Sequence, residues 1–251
     1  MTEVTTSPVR GDTARAEWRA FRRFVARPVL PERTARFSAG AAAALVRMYA
    51  LDVLLMAVLA LTAGAVMAAG FELPETALAE MEITAGVALA VVVGAPLMEE
   101  IVFRGWLSGR ARHLLAIASL LFAGAAAAAI MGTGIPGTGV WALAALAIFG
   151  LLAAWLSWSG RRKPPMRWFR RLFPVFFWLS TLAFACIHLL NFSEGALWVL
   201  LPLVLPQFIL GAILGYLRVY YGLWASIALH AMHNGTALGL VYLGTRYATG
   251  A

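Results

Sequence analysis

The sequence predicts an all-α, polytopic transmembrane helix bundle, and three observations favour this fold class over a soluble one. Of the 251 residues, 62% are hydrophobic and only 13% are charged, about half the charged share of soluble domains. The hydrophobic residues form runs long enough to span a bilayer, which requires about 20 mostly apolar residues. The arginines cluster between these runs, as expected when positive charge is kept on the cytoplasmic side. Too few polar residues are left to cover a water-soluble surface.

The residues before the first apolar run, 1–47, are predicted to form a basic cytoplasmic arm. Within it, the segment Ala14–Val25 carries Trp18, Phe21 and Phe24 at three-residue intervals, which places them near one face of a helix. With arginines between them, these aromatics suit an amphipathic helix lying on the membrane surface. A solvated tail without defined structure is the alternative.

The arm contains many arginines, which lie between its start and the first apolar run: Arg10, Arg15, Arg19, Arg22, Arg23, Arg27, Arg33, Arg36 and Arg47. Such a charge is compatible with nucleic-acid binding or with contact to anionic lipid. The arm has no recognisable nucleic-acid-binding motif. We therefore expect the lipid bilayer, and no nucleic acid, as its partner.

Seven apolar segments follow in the predicted membrane domain, residues 48–251. Their approximate limits are Met48–Ala69, Ile83–Leu107, Leu114–Met131, Val140–Trp158, Leu172–Leu190, Ala196–Leu217 and Leu223–Leu243. Arginine-rich stretches follow the second and fourth segments, whereas the loop Phe71–Glu82 carries glutamates and no lysine or arginine. This alternation predicts a multi-pass protein of the cell membrane with a cytoplasmic N-terminus.

The second segment contains charged residues that are costly inside a membrane: Glu99, Glu100 and Arg104. A charge at a helix centre costs roughly 2.5–3.5 kcal/mol on insertion scales, so such residues usually face the bundle interior and have a function. Glu100 and Arg104 are four residues apart and share a helical face, whereas Glu99 is turned about 100° away. We expect Arg104 to neutralise Glu100 and to leave Glu99 available as a general base. The structural alternative is an ion pair at the cytoplasmic interface.

Two further segments supply polar side chains. The fifth ends with Phe184 and His188 at four-residue spacing, and the seventh carries His230 and Asn234 at the same spacing, so each pair lies on one helical face. Because a carboxylate pair and an amide accompany the two histidines, we interpret them as members of a functional site. His233 lies three residues after His230 and would allow a metal pair, although this spacing alone is a weak indication.

These residues form three short motifs, which are Glu99-Glu100-x-x-x-Arg104, Phe184-x-x-x-His188 and His230-x-x-x-Asn234. In this order and within apolar helices, they resemble the motifs of the CAAX-protease and bacteriocin-processing (CPBP/Abi) family. The family consists of intramembrane endopeptidases and includes the type II CAAX prenyl endopeptidases. The resemblance covers about residues 84–240. The connection between the first two motifs is longer than usual in the family, which we interpret as an inserted helical hairpin at about residues 114–158.

The resemblance implies hydrolysis of peptide bonds in a peptide or protein substrate in or at the membrane. The site residues that it implies are Glu99, Glu100, Arg104, His188, His230 and Asn234. In this scheme Glu99, assisted by His188, activates a water molecule. His230 and Asn234 would then donate hydrogen bonds to the oxyanion, while Glu100 and Arg104 would position Glu99. No cofactor is expected, and the alternative is a zinc-dependent variant with Glu99, His188 and His230 as ligands.

Two other classes of function stay open at this point. A non-catalytic membrane scaffold would use the same pocket to regulate a partner such as a sensor kinase, because a fold does not establish a reaction. A transporter or proton relay would also place glutamate and histidine inside the membrane, although no internal repeat is evident.

The predicted topology raises one geometric problem. Glu99 lies toward the cytoplasmic end of its helix and His188 toward the opposite end of its own, so straight spans would keep the two residues apart. A second helix that continues past Arg104, or a tilted or re-entrant segment, would bring them together.

Overall fold

The computed structural model describes residues 12–74, 76, 82–158 and 164–249, and within them the chain forms α-helices and no strand. In chain order the helices are α1 (Ala14–Ala26), α2 (Ala39–Ala68), α3 (Ala85–Leu89), α4 (Ala95–Arg104), α5 (Ala111–Gly132), α6 (Gly139–Trp158), α7 (Arg167–Arg171), α8 (Phe173–Ile187), α9 (Leu197–Leu203), α10 (Leu205–Tyr220) and α11 (Leu223–Thr249). The predicted all-α fold is confirmed. Arg10, most of the glutamate-containing loop and the basic residues 161–163 lie outside the described residues.

Five helical stretches of the described chain are long and apolar enough to cross a membrane. They are Ala39–Ala68, Ala85–Ser108, Ala111–Gly132, Gly139–Ser157 and Phe173–Asn191. A sixth span is possible if α9 and α10, which are bent by 43° relative to each other, cross as one unit. The protein is thus a membrane protein with five or six candidate spans, whereas the sequence predicted about seven. The seventh predicted segment is the helix α11, whose apolar character is reduced by His230, His233 and Asn234.

The sixth predicted span is broken rather than straight. The sequence predicted one helix over Ala196–Leu217, but the structure has α9 and α10 with Val204 between them. Pro202 lies inside α9 and Pro206 in the first turn of α10. Proline lacks a backbone N–H and clashes with the preceding helical turn, so these two residues explain the bend.

The basic arm contains a helix at the predicted place, but this helix lies against the protein itself. Phe24 of α1 is 2% exposed and its ring lies 4.9 Å from that of Phe177 in α8. Glu17 is fully buried and accepts hydrogen bonds from the hydroxyl groups of Tyr216 (2.6 Å) and Tyr221 (2.7 Å). The aromatic face of α1 therefore packs on the helix bundle, and its arginines face outward.

The region predicted as an inserted hairpin contains α5 and α6, which pack on each other. Small residues such as Ala123 and Ala142 are buried in this pair, which lets two membrane helices approach closely. At its base, the backbone nitrogen of Met166 donates a hydrogen bond to the carbonyl oxygen of Gly109 (2.8 Å). Gly109 has a φ of +65°, and a Cβ at this position would lie 2.7 Å from the ring of Phe169. The hairpin thus leaves and rejoins the bundle at one point, where only glycine fits.

The core of the bundle lies around α10, in which every residue from Leu210 to Tyr220 is buried. Gly215 allows α8 to approach α10, because a Cβ there would lie 2.7 Å from the ring of Phe177. Arg218 donates from Nε to the carbonyl oxygen of Arg104 (2.8 Å) and from Nη2 to that of Gly105 (2.9 Å). The end of α4 is therefore held against α10 by hydrogen bonds to its last carbonyl groups.

Candidate active site

The first motif lies on the membrane helix Ala85–Ser108, which is not a regular α-helix throughout. Between α3 and α4, residues Ala90–Gly94 form a π-helical segment, a feature that is rare and frequent at functional sites. Asn234 of α11 donates a hydrogen bond from Nδ2 to the carbonyl oxygen of Val91 in this segment (2.9 Å). The third motif is thus tied directly to the helix that carries the first.

Arg104 neutralises Glu100, as the four-residue spacing predicts. Nη1 of Arg104 lies 2.7 Å from Oε1 of Glu100, and both side chains are almost completely buried. Glu100 also accepts a hydrogen bond from Ser226 and lies 3.0 Å from Nδ1 of His230. The charged pair therefore lies inside the helix bundle and not at an exposed interface. Every oxygen of this carboxylate is engaged, so it is not available to activate a water.

Glu99 points away from this pair, toward two imidazole rings. Its Oε2 atom lies 3.9 Å from Nε2 of His188 and 3.8 Å from Nε2 of His230. Both distances are too long for direct hydrogen bonds. Within the described residues, Oε2 of Glu99 is buried and has no hydrogen-bond partner. The carboxylate of Glu99 therefore lacks the cation and the hydroxyl group that bind Glu100.

The two imidazole rings are each oriented by a hydrogen bond on the side away from Glu99. Nδ1 of His188 lies 2.7 Å from the carbonyl oxygen of Phe184, and Nδ1 of His230 lies 3.0 Å from Oε1 of Glu100. Ionised carboxylates and carbonyl groups only accept hydrogen bonds, so we assign a hydrogen to each Nδ1. Both Nε2 atoms are then turned toward Oε2 of Glu99, and three polar atoms from three helical segments surround one small gap.

The relative height at which α4 and α8 pack brings Glu99 and His188 together, although the sequence predicted that straight spans would keep them apart. Ser180 of α8 donates a hydrogen bond to the carbonyl oxygen of Phe103 in α4 (2.6 Å), so these two residues lie at the same height in the bundle. From this level, His188 lies eight residues along α8 and Glu99 four residues back along α4, an offset of about 6 Å at 1.5 Å per residue. Because side chains lean toward the N-terminus of their own helix, the two side chains lean toward each other and close the offset.

All six residues predicted for the site are found in this region, and Arg104, His188 and His230 surround the carboxylates of Glu99 and Glu100. The sixth, Asn234, contacts the π-helical segment one turn of α11 beyond His230. His233 does not pair with His230; its Nδ1 atom lies 2.8 Å from Oδ2 of Asp52 in α2. In the described part of the chain, no three His, Cys, Asp or Glu side chains form a group that could hold a metal ion. The zinc-dependent alternative with Glu99, His188 and His230 as ligands stays a prediction.

Sequence reasoning missed two residues of this region. Ser226 lies four residues before His230 on the same face of α11, so the helical period could have placed it beside the first motif. Asp52 is the one acidic residue in the sequence of α2. The rule that intramembrane charges are functional could have identified it.

The comparison with known families agrees with the motifs. Residues 82–166 and 161–236, together more than half of the chain, match the family model described as Type II CAAX prenyl endopeptidase Rce1-like. The matched region contains all six predicted site residues and begins after α2. No curated protein and no solved structure matches the chain.

Proposed function

The chain belongs to the Rce1-like type II CAAX prenyl endopeptidase family of proteases, and we propose that it is an intramembrane endopeptidase with Glu99 as its general base. One observation supports this proposal most directly: the buried Oε2 atom of Glu99 faces Nε2 of His188 and of His230 at 3.9 and 3.8 Å. A carboxylate in this position is suited to take a proton from a water molecule.

The first step is the activation of that water. With a hydrogen on Nδ1, the Nε2 atom of a neutral His188 is an acceptor, and so is Oε2 of Glu99. A water between them can donate one hydrogen to each, because a separation beyond 3.5 Å leaves room for a bridging molecule. Glu99 takes one proton as the water oxygen forms a bond to the carbon of the scissile carbonyl group.

The second requirement is stabilisation of the oxyanion that forms on the carbonyl oxygen. Asn234 donates one amide hydrogen to the carbonyl oxygen of Val91 and has a second amide hydrogen to donate. His230 can donate from Nε2 when both of its ring nitrogens carry hydrogen, since Nδ1–H is already given to Glu100. The loss of one oxyanion donor typically costs about 10²–10³ in rate.

The reaction ends with the breakage of the carbon–nitrogen bond. The oxyanion re-forms a carbonyl group, and the leaving amine takes the proton held by Glu99. The products are a carboxylic acid and an amine, and the carboxylate of Glu99 is restored. Glu100 and Arg104 hold the helix so that Glu99 faces the histidines. Electrostatic interactions in such a buried site are stronger than in water, because the effective dielectric constant is low.

The proposed substrate is a peptide segment in or at the membrane, since the gap beside Glu99 lies among candidate spanning helices. We also propose a cytoplasmic N-terminus. The arginines of α1 and those of α7 lie at one end of the bundle, where Arg170 pairs with Glu32 at 3.0 Å. Positive charge on one side of a membrane protein marks the cytoplasmic side.

The decisive experiment compares wild-type protein with the Glu99→Gln variant, purified in detergent, on a quenched fluorogenic prenylated CAAX peptide. We expect Glu99→Gln to lower kcat by at least about 10²-fold, as for the loss of a general base. Glu194→Gln, an exposed substitution outside the six predicted site residues, is the matched control and should leave kcat unchanged. Full activity of Glu99→Gln would refute the assignment.

The same proteins identify natural substrates and test the metal-dependent alternative. Mass spectrometry of membrane peptides should detect products in cells with the wild type that are absent from cells with Glu99→Gln. Activity after treatment with 1,10-phenanthroline, measured beside the metal content of the purified protein, separates the two mechanisms. The metal-free mechanism predicts unchanged kcat, whereas a loss that added Zn²⁺ restores would support the zinc-dependent variant.

A further inference from the structure

Asp52 of α2 and His233 of α11 form a buried polar contact next to the candidate active site. Oδ2 of Asp52 lies 2.8 Å from Nδ1 of His233, and Asp52 is 1% exposed. We propose that Asp52 is a positioning residue for the protease reaction, acting through His233 on the turn of α11 that carries His230 and Asn234. This inference rests on the proposed function.

The turn of α11 from His230 to Asn234 is held by three contacts. His230 contacts Glu100 of α4 (3.0 Å), and Asn234 contacts Val91 in the π-helical segment (2.9 Å). These two contacts connect α11 to the helix that carries Glu99. The contact from His233 to α2 is the third, and it comes from a different helix. Together the three contacts fix the rotation of α11 about its axis, and with it the direction of Nε2 of His230.

The chemistry of Asp52 points to function rather than to packing. An acidic side chain inside a membrane helix costs roughly 2.5–3.5 kcal/mol on insertion scales, and apolar residues often replace a buried ion pair without loss of stability. Moreover, Oδ1 of Asp52 is buried without a hydrogen-bond partner in the described residues. A residue that only joined α2 to α11 would not need a carboxylate.

A neighbouring contact shows how these helices can be joined without an acid. Three residues before Asp52, the hydroxyl group of Tyr49 forms a hydrogen bond with that of Thr236 in α11. This contact joins the same two helices but touches neither histidine nor Asn234. Tyr49 therefore provides a matched control for loss of the α2–α11 interface alone.

The expected consequence of losing Asp52 is a misplaced donor rather than an unfolded protein. Without the Asp52 carboxylate, His233 loses the acceptor for Nδ1–H, and the turn keeps only its two contacts with the helix that carries Glu99. A shift of about 1 Å in a catalytic group can cost about 10²-fold in rate. Because a misplaced donor weakens an interaction made in the transition state, we expect the effect on kcat and not on KM.

The test measures kcat, KM and the detergent-solution Tm for four single variants and one double variant. Asp52→Ala and His233→Phe should each lower kcat by about 10- to 100-fold, with KM and Tm close to wild type. Asp52→Asn keeps an oxygen that accepts from Nδ1 of His233 and should recover most of the kcat. Tyr49→Phe should retain the wild-type kcat. In the double variant Asp52→Ala/His233→Phe, kcat should fall no further than in either single variant, because the two residues act as one unit.

Two outcomes would overturn the inference while the proposed function stands. One is a wild-type kcat for Asp52→Ala and His233→Phe in an assay in which Glu99→Gln is inactive. The other is an equal loss of kcat and Tm in Tyr49→Phe, which would reduce Asp52 to a helix-packing residue. If Asp52→Ala does not fold, His233→Phe decides between these outcomes. Full activity of Glu99→Gln would instead overturn the proposed function itself.

Discussion

The guanidinium carbon of Arg104 lies 3.8 Å from the centre of the Phe184 ring, and this contact joins the first motif to the second. The same guanidinium group binds Glu100. The ring of Phe184 also contacts the imidazole rings of His188 and His230, with centroid distances of 4.8 and 5.5 Å. Arg104 therefore packs on Phe184, and Phe184 packs on both histidines. Through these contacts, a change at Arg104 can alter the position of the histidines beside Glu99.

Replacing Arg104 should destabilise the protein more than replacing Arg104 and Glu100 together. Arg104→Leu leaves the buried carboxylate of Glu100 without its cation, and breaking a buried pair in this way typically costs about 3–5 kcal/mol. Arg104→Leu/Glu100→Gln removes the charge as well and should recover part of the loss. Thermal unfolding in detergent measures both. A single variant as stable as the double one would contradict this account of the pair.

Gly211 should tolerate no larger residue, because it lies directly behind Arg104. A Cβ at this position would lie 3.1 Å from Phe184 and 3.2 Å from Nη2 of Arg104. We expect Gly211→Ala to displace both side chains by a few tenths of an ångström and to lower kcat, because both contact residues of the site. Gly239→Ala in α11, where nothing lies within 4 Å of the added Cβ, is the control. It should be neutral or slightly stabilising, because alanine favours the helix.

How far this site could be predicted from the sequence depends on the kind of contact. The pairing of Glu100 with Arg104 and the separate orientation of Glu99 follow from the helical period, which is fixed for any helix. That the polar residues of three helices meet also follows, since unpaired charges are costly in a membrane. The contact between Asp52 and His233 could not be predicted in this way. It depends on which helices are neighbours, and helical periodicity carries no information about that.

The surface on which the helix of the basic arm lies could not be predicted from the sequence pattern either. Aromatic spacing predicted a helix at Ala14–Val25, but such a helix can lie on a membrane or on protein with the same face. Glu17 decides the matter in the structure, because its buried carboxylate accepts hydrogen bonds from Tyr216 and Tyr221. By contrast, the bend before α10 could have been predicted from Pro202 and Pro206.

Removing the Glu17 carboxylate should release α1 from the bundle. Glu17→Ala leaves the hydroxyl groups of Tyr216 and Tyr221 without this acceptor, at a cost of about 1–3 kcal/mol for buried unsatisfied groups. Because α1 carries exposed arginines, trypsin should cleave within it faster in this variant than in the wild type. Glu32→Gln is the control, since its partner Arg170 lies at the surface and surface pairs contribute about 0–1 kcal/mol. Equal cleavage rates in the two variants would argue against a docking role of Glu17.

The α5–α6 hairpin should be removable without loss of the protease core. Its two ends meet where Met166 donates to Gly109 at 2.8 Å, so a short Gly-Ser linker in place of residues 110–165 can join them without strain. Two spans are removed, and an even number leaves the orientation of the remaining helices unchanged. We therefore expect the shortened protein to insert, to fold and to retain a kcat within about tenfold of the wild type, because the deleted helices α5 and α6 carry none of the six site residues.

The shortened protein is tested in the peptide-cleavage assay beside the same deletion combined with Glu99→Gln, which should be inactive. A shortened protein that unfolds cooperatively but cleaves no peptide would show that the hairpin takes part in substrate binding. A shortened protein that does not accumulate in the membrane would show that the core needs α5 and α6 to fold. Either result would contradict the view of the hairpin as an insertion that the protease core does not require.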